Sequence, residues 1–92
     1  MIYVTAIRMS PPDSQQHEHI THVQWHDTGN GQSNYMSKQD AVDWLNRSSS
    51  NRLWVQGNPK DAEVFVVDAT PPYLRTAADG YYTNNLLSLP RF

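Results

Sequence analysis

Ninety-two residues are too few for two independent cores, so the chain is expected to form a single small domain over residues 1–92. The lack of cysteine excludes disulfides, thiolate nucleophiles and Cys-ligated zinc, and a net charge of −2 removes any global pull toward nucleic acid or anionic membrane. No run approaches the ~20 apolar residues that span a bilayer. Met1-Ile2-Tyr3-Val4-Thr5-Ala6-Ile7-Arg8 has neither the basic flank nor the long apolar stretch of a signal peptide. The expectation is a soluble cytoplasmic protein with no membrane partner and no DNA partner.

A chain of this size buries only about two-thirds of its unfolded surface. Its hydrophobic share is 38%, much of it in three Trp, five Tyr and two Phe. So low a share predicts a core completed across a homo-oligomer, or by a ligand. Five of the seven basic residues are Arg, whose planar fork suits carboxylate, phosphate or aromatic faces, although surface ion pairing is the commoner use of any one of them.

In chain order, Ile2 to Met9 is β-branched and aromatic and reads as a strand. Its blurred alternation suits a central strand covered on both faces. The polar, proline-broken segment 10–16 is a loop. A second strand is predicted from about His19 to His26, with Thr21, Val23 and Trp25 on one face and His22, Gln24 and His26 on the other. Asp27-Thr28-Gly29-Asn30-Gly31 is a turn, and Gln32 to Met36 returns as a third strand in a hairpin.

Ser37 begins the one convincing helix. Ser37-Lys38-Gln39-Asp40 has capping-box spacing with a shorter acid than the ideal Glu, and Ala41, Val42, Trp44 and Leu45 form the apolar stripe. Residues 46–51 are a solvated linker. Arg52–Gln56 and Ala62–Val67 form a further hairpin around the turn formers of 57–61. Leu74–Thr76 and Tyr81–Thr83 flank Ala77-Ala78-Asp79-Gly80 as a last hairpin, and Asn85–Leu89, capped by Thr83 or Asn84, forms a short helical turn that Pro90 stops. The fold class is therefore α+β: a small, mostly antiparallel sheet of about five strands, one main helix after the third strand, then a C-terminal hairpin and helical turn.

The histidines cluster at His17, His19, His22 and His26. A zinc-protease helix needs its second His four residues after the first, and Thr21 occupies that place. Along a strand His22 and His26 would stand about 13 Å apart, too far to share a metal without other ligands. Only His17 and His19 could chelate jointly, so a metal-dependent enzyme at His17–His22 is the weakest reading and no metal or other cofactor is expected. There is no Gly-x-Ser-x-Gly elbow and no Gly-rich phosphate loop. Asp68 and Asp79 are the acids near the tail, and turn or strand-end roles account for both. No catalytic residue is assigned, and the expectation is a protein that is not an enzyme.

The segment from Pro71 to Phe92 carries more chemistry than any other. Tyr73, Tyr81, Tyr82 and Phe92 offer flat faces, Arg75 and Arg91 offer forks, and Asn84 and Asn85 can pair with amide or base edges. Stacking plus arginine plus amide suits a nucleotide-like or peptide-like ligand. The same residues would also serve simply to weld the tail to the sheet.

Four stretches carry a family resemblance: Tyr3-Val4-Thr5-Ala6-Ile7-Arg8, Ile20-Thr21-His22-Val23-Gln24-Trp25, Val42-Asp43-Trp44-Leu45, and above all Pro72-Tyr73-Leu74-Arg75-Thr76-Ala77-Ala78-Asp79-Gly80 with its continuation Thr83 to Phe92. Over nearly its whole length the chain resembles a family of short bacterial proteins, some phage-borne, catalogued as domain-of-unknown-function family 3892. Asn84 stands where the resemblance leads one to expect an acid. No catalytic residue is implied, because the family has no assigned activity; the tail is marked out as a unit. The expected function is a non-enzymatic module binding a small anionic or nucleotide-like ligand through Tyr73, Arg75, Thr76, Tyr81, Asn84, Asn85 and Arg91. In a phage-borne setting it would sequester a signalling molecule. The alternative is a protein-interaction module that uses the aromatic tail or a sheet edge.

Overall fold

A computed structural model describes residues 1–57, 60–78, 81–83 and 85–92, the side chains of Ala78, Tyr81 and Tyr82 excepted. Strand β1 (Ile2–Met9) is followed by a 3₁₀ turn at His17–His19, β2 (Ile20–Asp27), β3 (Ser33–Ser37), helix α1 (Lys38–Arg47), β4 (Leu53–Val55), β5 (Ala62–Val67), β6 (Tyr73–Ala78) and β7 (Tyr81–Thr83). The strands form one sheet in the order β3-β2-β1-β4-β5-β6-β7. Every neighbouring pair is antiparallel except β1 and β4, which run parallel and meet at Tyr3 and Trp54. The α+β class and the single helix after the third strand are as expected. Among the described residues the sheet has seven strands rather than about five, because the C-terminal hairpin is not an appendage. Its first strand pairs with β5 from Val67–Tyr73 to Glu63–Ala77 and so extends the same sheet.

The β2–β3 hairpin closes through its own side chains. Asp27 accepts from the Gly29 amide at 2.8 Å, and the Asp27 carbonyl accepts from the Gly31 amide at 2.8 Å. Gly31 has φ +75°, a conformation that a Cβ would strain. Helix α1 starts where Ser37 Oγ accepts from the Asp40 amide at 3.1 Å. The reciprocal half of the capping box does not form, because Asp40 is one methylene shorter than Glu. Losing the one bond that does form sets an expectation: Ser37→Ala lowers stability by about 1 kcal/mol, whereas Ser37→Asp keeps most of it. Urea midpoints of the two variants check this.

Helix α1 packs against β2, β3, β5 and β6, and buries Ala41 and Val42 fully. Beneath it lie Val4, Ile7, Ile20, Val23, Leu53 and Leu74, each no more than 2% exposed. Trp44 and Leu45, expected in the same stripe, are only half-buried at its margin.

The blurred pattern of β1 has a second cause besides the one expected. Its register shifts against β2 between Val4 and Ala6 and again between Arg8 and Met9. At the first, Thr5 is the extra residue on β1, so that Val4 is buried along with Ile7 and Met9 although it is out of step with them; at the second, the extra residue is Thr21 on β2. Thr5 and Arg8 remain exposed, whereas the neighbours Ala6 and Ile7 are both buried, so β1 is covered on both faces only over its middle. At the second irregularity Thr21 does not join Val23 in the core. Its hydroxyl instead donates to the Arg8 carbonyl at 3.2 Å.

Strand β4 is three residues long and meets β1 at Tyr3, so the far half of that edge of β1 is left to another segment. The C-terminal residues take it. The Ile7 amide donates to the Pro90 carbonyl at 2.9 Å, and the Phe92 amide donates to the Ile7 carbonyl at 3.0 Å. Between β7 and this contact, Ser88 N donates to Asn85 O and Leu89 N to Leu86 O at 3.2 and 3.3 Å, giving the predicted turn and driving Leu86 to full burial. The predicted Asp79-Gly80 turn and the Asn84 cap lie outside the described residues.

Candidate ligand-binding site

Alternation along β6 decides which tail residues can act together. Leu74 and Thr76 are completely buried, while Tyr73, Arg75 and Ala77 between them are half-buried. Thr76 is therefore turned away from Tyr73 and Arg75. Its hydroxyl donates to the Thr83 carbonyl at 3.2 Å and accepts from the Thr83 hydroxyl at 2.8 Å. A buried hydroxyl needs such partners, and these bonds fasten β7 to β6 and leave Thr76 without exposed surface.

Arg75 faces different company. The His17–His19 turn packs against β6. His17 is only 7% exposed, and its Nε2 has no hydrogen-bond partner. Burial first, and then the Arg75 guanidinium, push the His17 pKa below the ordinary histidine value, while Glu18 pulls the other way. Lys38 reaches the same turn from α1, donating Nζ to the Glu18 carbonyl at 3.2 Å. From the tail, Arg91 donates Nη1 to the Ser14 carbonyl at 3.4 Å and Nη2 to the Leu87 carbonyl at 3.1 Å. The Arg75 guanidinium thus acts on the buried imidazole of His17, while Lys38 and Arg91 are tied to main-chain carbonyls at Glu18 and Ser14, on and just before the same turn.

Of the other residues expected at the site, Asn85 lines a separate hollow of about 360 Å³ with Val55, Gln56, Ser88 and Leu89, whose described lining includes neither Tyr73 nor Arg75. Asn84 and the Tyr81 side chain lie outside the described residues. The structure therefore brings Tyr73 and Arg75 to one side of β6, adds Arg91 through Ser14, and separates Thr76 and Asn85 from them.

The other histidines go to unrelated partners. His19 Nδ1 is 2.6 Å from Ser14 Oγ, His22 Nδ1 is 3.0 Å from Thr21 Oγ1, and His26 Nδ1 is 2.6 Å from Ser33 Oγ. Among the described residues no three His, Cys, Asp or Glu side chains converge as metal ligands. In the sequence His17 is simply one of four clustered histidines. The residues around it, Gln16, Glu18 and His19, are polar, and nothing local to them announces burial.

The lowered pKa of His17 carries a stability consequence. In the unfolded chain His17 takes up a proton near its ordinary value of about 6.5, whereas the folded protein resists it to lower pH. The unfolded state then binds more protons, so stability is full above about pH 6.5 and falls as pH drops toward the folded pKa. Urea midpoints between pH 8 and 5 should show this decline, and His17→Gln should flatten it.

The family model described as "Protein of unknown function (DUF3892)" matches residues 3–90. No curated protein and no solved structure matches the chain.

Proposed function

We propose that this chain, which belongs to the DUF3892 family of unknown function, is a non-enzymatic module that binds a small anionic or nucleotide-like ligand at the His17–Arg75 corner. The observation that carries this reading is the buried His17 imidazole, whose Nε2 lacks a partner, set beside a guanidinium. A buried polar atom costs about 1–3 kcal/mol when unsatisfied, so a ligand oxygen that meets it is rewarded. A phosphate or carboxylate can accept from Nε2–H and from the Arg75 fork together. Tyr73, on the same side of β6, offers a ring on which a base or sugar can rest. The donors and the flat ring suit holding an anion.

A thermal-unfolding screen against inorganic phosphate, nucleotides, cyclic nucleotides and sugar phosphates tests this directly. A ligand at ~100 times its Kd adds about 2.7 kcal/mol, which is several degrees in a domain this small. The reading requires a shift from at least one class and its loss in Arg75→Ala. A flat response to the whole panel overturns it.

A second reading, a protein-interaction module, is favoured by the other end of the sheet. Strand β3 is an edge, and its Tyr35 is 59% exposed. The Tyr35 ring lies 6.2 Å from the rings of both His22 and Phe92, and Arg8 sits 4.7 Å above the Phe92 ring. An uncovered edge with an aromatic ledge suits strand addition by another chain, including a second copy of this one. Sedimentation of the wild type against Tyr35→Lys separates the two readings, since that change leaves the His17–Arg75 corner intact.

A further inference from the structure

The tryptophans, which the corner above does not use, gather elsewhere. Helix α1 presents Asp40, Asp43, Trp44 and Arg47 at the spacing that puts side chains on one side of a helix. Together with Ile2, Trp25 and Met36 from the sheet they enclose a cleft of about 340 Å³, within the range of small-molecule sites. A neighbouring cleft of about 410 Å³ shares Ile2 and Trp44 and adds Trp54, but it also carries Arg52, so the acidic rim belongs to the first cleft alone. All three tryptophans of the chain therefore line this pair of clefts, and each is half-buried rather than closed into the core.

We propose that the cleft between α1 and the sheet binds a small organic cation, an alkylated ammonium ion, independently of the anion-binding corner. Trp25 and Trp44 both line this cleft, and Trp is the aromatic side chain that attracts such a cation most strongly. Ile2 and Met36 supply apolar surface for its alkyl groups. The rim supplies the charge: the exposed carboxylates of Asp40 and Asp43 against the single guanidinium of Arg47, with no salt bridge joining them. Asp43 Oδ1 accepts from Gln39 Nε2 at 2.9 Å, a neutral partner, so the rim keeps two carboxylates against one guanidinium. A hydrated metal ion gains little from an apolar, aromatic cleft, and an anion is repelled by the two carboxylates. A cation with an oily shell satisfies walls and rim together.

The test uses the full chain at low salt, with choline as probe and 3,3-dimethylbutan-1-ol, its uncharged shape-mimic, as control. Titrations are followed by tryptophan fluorescence and by calorimetry. The expected result is saturable choline binding, at least tenfold weaker for the uncharged mimic. Binding should also weaken at least tenfold in the Asp40→Asn/Asp43→Asn double variant, whose exposed positions leave the fold in place, as its urea midpoint will show. Absence of saturable choline binding overturns the proposal. So does equal binding of the mimic, or undiminished binding by the folded double variant.

Discussion

Replacing Leu86 with alanine is expected to destabilise the protein by about 2–5 kcal/mol, the usual cost of emptying a fully buried leucine site. Leu86 is 0% exposed and belongs to the same buried cluster as Ile7, Leu53 and Leu74, although it comes from a stretch that is neither helix nor strand. It is pinned on both sides, by the turn from Asn85 to Leu89 and by the main-chain bonds of Pro90 and Phe92 to Ile7. The surroundings therefore have little freedom to collapse into the cavity. Each kcal/mol is worth roughly 4–8 °C in a domain of this size, so the melting temperature should fall by at least ~8 °C. Phe92→Ala, which loses a ring stacked under Arg8, should cost no more than about 1 kcal/mol. If Leu86→Ala proves as mild as Phe92→Ala, the tail is not part of the core.

If the proposed corner binds an anion, Arg75→Ala should weaken that binding by roughly 10- to 150-fold, the equivalent of losing one charge-assisted contact of about 1.5–3 kcal/mol. Arg75→Lys should fall between the two, because it keeps the charge and loses the fork. The same change has a second readout that needs no ligand. With the guanidinium gone, one of the two causes that hold down the His17 pKa disappears, so the acid-side loss of stability should become shallower. Calorimetric titration gives the affinities and urea midpoints at pH 8 and 5 give the linkage. Wild-type affinity in Arg75→Ala would remove Arg75 from the site, and an unchanged acid limb would remove it from the neighbourhood of His17.

The parts of the fold legible in the sequence are those set by local chemistry. Asp27 and Gly31 make their turn from their own groups, Ser37 caps its helix three residues on, and the strand pair of β4 and β5 follows from two apolar runs around turn formers. What stayed hidden was nonlocal. Nothing near Tyr3 announces a parallel partner at Trp54, and nothing near Pro90 announces that its carbonyl will serve Ile7. The two irregularities between β1 and β2 exist only in their pairing, so the pattern of β1 taken alone does not disclose why its alternation is blurred.

At the site the balance differs. Arg75 and Tyr73 were identifiable from residue type, and Thr76 could have been set aside, because it stands two residues from Leu74 on the same strand and must share its face. His17 could not have been found this way. Its burial comes from β6 packing against the turn, across more than fifty residues of chain. The clefts around Trp25, Trp44 and Trp54 likewise require the helix to be laid on the sheet before the three rings become neighbours.

The most direct test of the anion-binding reading is to follow the His17 ring nitrogens by NMR while titrating pH, with and without the phosphate compound that gives the largest thermal shift. In the free protein His17 should titrate below the usual histidine range. With the ligand bound its pKa should rise, since an anion beside Nε2 favours the imidazolium, and in Arg75→Ala the ligand at the same concentration should leave it where it was. If the ligand binds and the His17 titration does not move, the anion sits elsewhere and the His17–Arg75 corner is not the site.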